Sequence, residues 1–174
     1  MPPYFQGSLD NLCGIYSIIN AVNALRGPLN NYQSRQLFKL ILRCIYSSRG
    51  SKVSMGYGLT LNDVARVINT VVCTNYAIRR YKPFHGRTGI NLNEYWDTLK
   101  AELELPNTIA FIGISGHFNH WTIVKRVTDH NLILADSIGI RYLNRKHCVM
   151  ASHRARRRKQ YWLIPHKTYI LKAR

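Results

Sequence analysis

The sequence predicts an α+β fold: a helical half over about residues 1–105 packed on an antiparallel sheet over about 106–174, together one domain spanning 1–174. Three observations carry this. Apolar residues in the first half recur at the helical spacing i, i+3, i+4, i+7. Short β-branched and aromatic runs, separated by turn residues, fill the second half. The two patterns follow one another instead of alternating, as they would in a chain of βαβ units. A chain of 174 residues can bury a core of its own without disulfides or metal.

The elements follow in order. Ile15, Ile18, Ile19 and Val22 set a helix over about 13–25, stopped by Gly27-Pro28. Leu37, Leu40, Ile41, Cys44 and Ile45 form one stripe of a second helix over about 34–46. Residues 47–60 are rich in Ser and Gly and read as a loop. Thr60 with Asp63 is a variant capping box opening a third helix, whose inward face is Leu61, Val64, Ala65, Ile68, Val71 and Val72. Asn91 caps a fourth, reaching about Glu104, with Glu94 in its first turn and Leu92, Tyr95, Trp96 and Leu99 inward. Strands are expected at 108–114, 120–127 and 131–136, with Thr128-Asp129-His130 as the turn between the last two. Residues 160–172 read as one or two more strands, bent at Pro165.

Charge is heavily one-sided, with 25 Lys and Arg against 8 Asp and Glu. Of the basic residues, 13 fall within 121–174, where only Asp129 and Asp136 oppose them. The densest run, Arg154, Arg156, Arg157, Arg158 and Lys159, closes a segment (141–159) without any acid, flanked by Tyr142, Tyr161 and Trp162. Such a segment suits an acidic protein or a nucleic acid, and equally suits a solvated loop. No apolar run is long enough for a transmembrane helix, and residues 1–20 lack the pattern of a standard signal peptide. A cytoplasmic protein is the default expectation, with delivery as a secreted effector left open. The sequence contains no P-loop, dinucleotide fingerprint or metal-ligand spacing, so no cofactor and no metal are expected.

The four cysteines are scattered, without a C-x-x-C pair. Cys44 and Cys73 fall in apolar patterns and read as core thiols, and Cys148 reads as exposed or interfacial. Cys13 differs. It opens an apolar helix, where the macrodipole favours a thiolate, and Gly14 beside it leaves room for a substrate. A nucleophilic thiol needs a base, and the base an orienting group. His120 begins one strand of the expected hairpin and Asp136 ends the next, so pairing about residue 128 brings them side by side. Gln6, in the segment leading to the helix, can join the Cys13 N–H in an oxyanion hole. His117, three residues from His120, is a rival base or faces the substrate, and Trp121 is a wall of the site or core.

The segments Phe5-Gln6-Gly7-Ser8-Leu9…Cys13-Gly14, His120-Trp121-Thr122-Ile123-Val124 and Ala135-Asp136-Ser137-Ile138-Gly139 resemble the papain-like cysteine peptidases. Within that superfamily the bacteriocin-leader (double-glycine) peptidases are the nearest likeness, and Josephin-type deubiquitinases share features. The likeness covers residues 4–25 and about 108–140, with Leu61-Asn62-Asp63-Val64-Ala65-Arg66 as a weaker third match. The chain departs from the pattern where Ser137 stands for a proline, and where Asp10-Asn11-Leu12 intervene before Cys13. The resemblance implies a papain-like fold, a Cys13–His120–Asp136 triad with Gln6 in the oxyanion hole, and a protein or peptide substrate, and it suggests a toxin or effector. Deamidation or transglutamination could use the same site. Two other readings stand beside it: a nucleic-acid-binding protein or nuclease using residues 141–159, and a binding module without catalysis.

Overall fold

The computed structural model describes residues 3–5, 12–49, 58–153 and 158–174. Helices α1 (Cys13–Arg26), α2 (Asn31–Arg49) and α3 (Leu61–Val67) come first, with α3 running on into a π-helical stretch, Ile68–Cys73. Strand β1 (Ile78–Tyr81) and helix α4 (Leu92–Glu104) follow. Then come β2 (Thr108–Gly116), β3 (His120–Val127), β4 (Asn131–Leu134), β5 (Tyr142–Asn144), β6 (Cys148–Met150) and β7 (Tyr161–Ala173). Among the described residues seven strands form one sheet ordered β1-β7-β2-β3-β4-β5, with β6 paired to β7 off this path. Every pairing is antiparallel except β6 with β7. The α+β expectation holds in that form.

The sheet is covered on both faces. Ile109 and Phe111 of β2 join Ile15, Ile18 and Val22 of α1, Leu37 and Ile41 of α2, and Val64 and Val67 of α3 in one core. Ala110, Ile112 and Ile114 turn the other way, onto Tyr95, Trp96 and Leu99 of α4. A strand buried on both sides loses polar alternation, which is why residues 108–114 read as a continuous apolar run. The helical half is therefore divided: α4 lies across the sheet from α1–α3, and β1 belongs to the sheet. Polar groups fix α4 in place: Tyr95 Oη pairs with Thr168 Oγ1 at 2.9 Å, and Trp96 Nε1 donates to Thr128 O at 2.8 Å.

Local chemistry explains most boundaries. Thr60 and Asp63 form the capping box reciprocally, and Asn91 accepts from Glu94 N at 2.9 Å. A second reciprocal box, Asn30 with Gln33, starts α2 at Asn31, earlier than the apolar stripe alone suggests. At its other end α2 extends to Arg49, into residues read as loop; of that loop, 50–57 lie outside the described residues. Leu40 stands 37% exposed, off the buried stripe. The third helix keeps its expected inward face at Val64, Ile68, Val71 and Val72, but from Ile68 it winds wider than an α-helix. Thr70 Oγ1 bonding Arg66 O, and Thr74 Oγ1 bonding Asn69 O, line that stretch. The run expected at 160–172 forms one long strand, β7, over Tyr161–Ala173. Its register against β2 slips where Thr168 faces Ile112 but Leu163 faces Ile114, so 164–167, Pro165 included, bulge opposite Gly113.

Cys148 corrects the sequence reading. It is buried, its Sγ donates to Asn144 O at 3.3 Å, and burial pushes its thiol up to about 12 against the opposing charge of Lys159. Cys44 and Cys73 are half-buried at the rim of the core, with Cys44 Sγ 3.1 Å from Thr70 Oγ1. All four cysteines are free thiols. Among the described residues no helix is long and apolar enough to cross a membrane.

Candidate active site

Cys13 is the first residue of α1, at the floor of a cleft of about 630 Å³. Leu59 of the segment before α3 forms one wall, and Phe118, Asn119 and Trp121 form another. Helix α1 is tied to the sheet by Ser17, whose Oγ donates to Trp121 O at 2.7 Å. Trp121 in turn donates from Nε1 to Leu59 O at 3.0 Å and packs on Phe111, with ring centroids 5.4 Å apart. It is thus both a wall of the cleft and a core residue, only 6% exposed.

His120, the first residue of β3, hydrogen-bonds Asp136 and lines the same cleft as Cys13, near enough for the thiol to influence its charge. Its Nε2 lies 2.6 Å from Asp136 Oδ2, and both side chains are almost wholly shielded from solvent. With Nε2 committed to the carboxylate, Nδ1 is the ring nitrogen left for the thiol. The edge of Phe118 closes over the imidazole at 5.7 Å between centroids.

Asp136 is held as an anion. Its Oδ1 accepts from Ile138 N at 2.8 Å and Ile140 N at 3.3 Å, in a turn whose Gly139 sits at φ +87°. Burial works against the charge on Asp136, but the bond to His120, the imidazolium charge and the Ile138 N–H overcome it and lower the carboxyl pKa. Thr122 Oγ1 is buried and falls short of a full hydrogen bond, yet lies near enough to favour the carboxylate. The same logic raises His120 to about 9. Burial opposes the imidazolium, while the hydrogen bond to Asp136, the nearby Cys13 and the Asp136 charge more than offset it.

The route by which Asp136 arrives differs from a simple hairpin about residue 128. The observed register puts Val124 opposite Leu134, two residues beyond that symmetric pairing, with a bulge between Val124 and Arg126. β4 ends at Leu134, and Asp136 reaches His120 only because the chain has left the strand and turned.

Other expected site residues fare differently. Gly14 does not leave room for a substrate: a Cβ there would lie 2.9 Å from Leu59 Cδ1 and 3.1 Å from its Cβ, so the missing side chain admits Leu59. His117 is exposed in the β2–β3 turn, its N–H donating to Gln160 O at 3.3 Å, and it is not among the cleft's lining residues. Gln6 lies outside the described residues; Phe5, next to it, has its ring beside Gly139 in the Asp136 turn. Arg154, Arg156 and Arg157 also lie outside them. Arg158 is exposed, and Lys159 Nζ donates to Lys146 O at 2.6 Å, away from the Cys13 cleft.

The cleft also contains residues that the sequence did not single out. Phe118 and Asn119 adjoin His120 in sequence and could have been found by that adjacency. Leu59 carried no signal. Lys167 enters from the β7 bulge, for which Pro165 was the only hint. Among the described residues no group of three or more His, Cys, Asp or Glu is placed to hold a metal ion. No protein-family model matches the chain, and no curated protein matches it.

Proposed function

We propose that the protein is a papain-like cysteine enzyme that cleaves peptide or isopeptide bonds by acyl transfer through Cys13. The observation that carries this reading is the buried His120–Asp136 pair at 2.6 Å, whose imidazole shares an open cleft with a thiol at the start of a helix. Each member of such a chain restricts the next: the turn amides fix Asp136, Asp136 fixes the ring, and the ring faces the sulfur.

In the mechanism His120 takes the thiol proton, and its raised pKa lets it keep that proton at neutral pH. Cys13 Sγ attacks the substrate carbonyl. The resulting oxyanion lies against the Cys13 N–H in the first turn of α1, where helix N–H groups lack intrahelical acceptors, with Gln6 as the second donor. His120 then protonates the leaving amine, and water releases the acyl group from the thioester.

Iodoacetamide labelling, mapped to individual cysteines across pH, tests the reading. Cys13 should label rapidly at pH 6, with the Cys13 signal lost in Cys13→Ala and slowed in His120→Ala by roughly 10²-fold or more. Labelling of Cys13 that rises only near pH 8.5, as for an unassisted thiol, would sink the proposal.

A further inference from the structure

The cationic residues outside the 141–159 segment are not evenly scattered. Lys167 lies at the Cys13 cleft, its stem so close over Gly113 that a Cβ on that glycine would sit 3.0 Å from Lys167 Cβ and Cδ. Its ammonium stands 5.8 Å from the Trp121 ring centroid. Two residues along β7, on the same face, Tyr169 has Lys82 Nζ 4.8 Å and Arg80 Cζ 5.4 Å from its ring centroid. Beyond it, Arg80, Lys82, His85 and Arg174 line a second cleft of about 830 Å³, walled by β1 and by Asn69 and Cys73 of the π-helical stretch. Among the described residues no Asp or Glu lines either cleft.

These cations feel one another. Burial first, then Arg80, lowers the pKa of Lys82. Burial, then Lys167 and Lys82, lowers that of His166. Like charges held together without a carboxylate are a poor arrangement unless an anion joins them.

We propose that this track, from Lys167 through Lys82 and Arg80 to Arg174, binds an extended acidic stretch of the polypeptide substrate on one side of the bond presented to Cys13. The inference rests on the proposed acyl-transfer reading and names its substrate class. Geometry favours a peptide over a nucleic acid. Residues 167–173 of β7 span about 20 Å at strand rise, a length that about six extended residues match. Trp121 and Tyr169, the aromatic rings beneath the cations, are buried and offer no open face for base stacking. β1 is the sheet's edge strand, so an extended segment can run alongside it.

The test uses the full chain and a fluorescent deca-glutamate peptide, with binding read by anisotropy at low salt. Lys82→Glu/Lys167→Glu should weaken binding by roughly tenfold or more, and Arg158→Glu/Lys159→Glu by no more than about twofold. Lys82→Gln/Lys167→Gln gives the same comparison without reversed charge, should the Glu variant fold poorly. Bound peptide should also slow iodoacetate labelling of Cys13, and the iodoacetate-to-iodoacetamide rate ratio should fall in Lys167→Gln. The proposal is overturned if the track variants bind like the wild type, if the Arg158/Lys159 variant loses as much, or if a single-stranded RNA of equal charge binds more tightly through the track residues. Because anisotropy requires no reactive thiol, failure of the acyl-transfer reading shows separately, as slow iodoacetamide labelling of wild-type Cys13.

Discussion

Two charged regions of this protein have opposite constructions. At His120–Asp136 two ionisable groups are shielded from solvent, each carboxylate oxygen has a donor, and each charge supports the other. Along the β7–β1 rim the charges have one sign and stay partly exposed, resting on aromatic rings. The first region is complete within the fold, and its geometry depends on a single arrangement. The second has no Asp or Glu partner among the described residues, and the proposed acidic substrate would complete it. Buried pairs are sensitive to loss of one partner, whereas exposed charges contribute little to stability and much to what approaches.

The contrast can be broken most severely at Asp136. Asp136→Asn leaves a buried imidazole without its counter-charge and should lower the chemical step by on the order of 10²–10⁴-fold. Asp136→Ala should also cost about 3–5 kcal/mol of stability, read from denaturant midpoints, because the buried partner is left alone. Gly14→Ala should cost about 1–3 kcal/mol, as the new methyl must displace Leu59 from the cleft wall; the same denaturation experiment measures it.

A pH series sharpens the comparison further. His120 is raised from 6.5 to about 9, so its stabilisation is complete below 6.5 and lost as pH rises through about 9. Asp136 is lowered from 3.8, so its stabilisation is complete above 3.8 and lost as pH falls through its folded value. Both contributions are in full force between 3.8 and 6.5, and wild-type stability should decline on the alkaline side. In Asp136→Asn that alkaline decline should flatten, as the imidazolium has lost its main support. The smallest effect belongs to the exposed Lys100–Asp129 pair at 2.8 Å. Lys100→Ala should leave the unfolding midpoint unchanged within error, since solvent screens such pairs.

Several parts of the fold were legible because their signals are local. The Thr60–Asp63 and Asn91 caps, the apolar faces of α1 and α4, and the turn at 128–130 each depend on residues within one or two turns of chain. The start of α2 was legible too, in the Asn30…Gln33 spacing, but the apolar stripe concealed it. What escaped depends on distant partners. β1, spelled Ile78-Arg79-Arg80-Tyr81, becomes a strand by pairing with residues 170–173, almost a hundred positions away. Cys148 looks polar in its basic neighbourhood and is buried because β6 aligns with β7. At the site, the residue types and chain order of Cys13, His120 and Asp136 were legible. The register that joins the last two was not, because a bulge in β3 and the turn after β4 decide it. Lys167 and Leu59 enter the cleft through long-range packing, which leaves no local pattern.

The bond from Ser17 to Trp121 O spans 104 positions of chain, and the imidazole and carboxylate that address Cys13 come from the same distant region. Closing so long a loop costs entropy that local helix formation does not recover, so the joining of α1 to β3 belongs to the late, global part of folding. A nascent chain emerging from the ribosome thus carries its cysteine for more than a hundred residues before His120 is made. The thiol acquires its partners only when the whole sheet is in place.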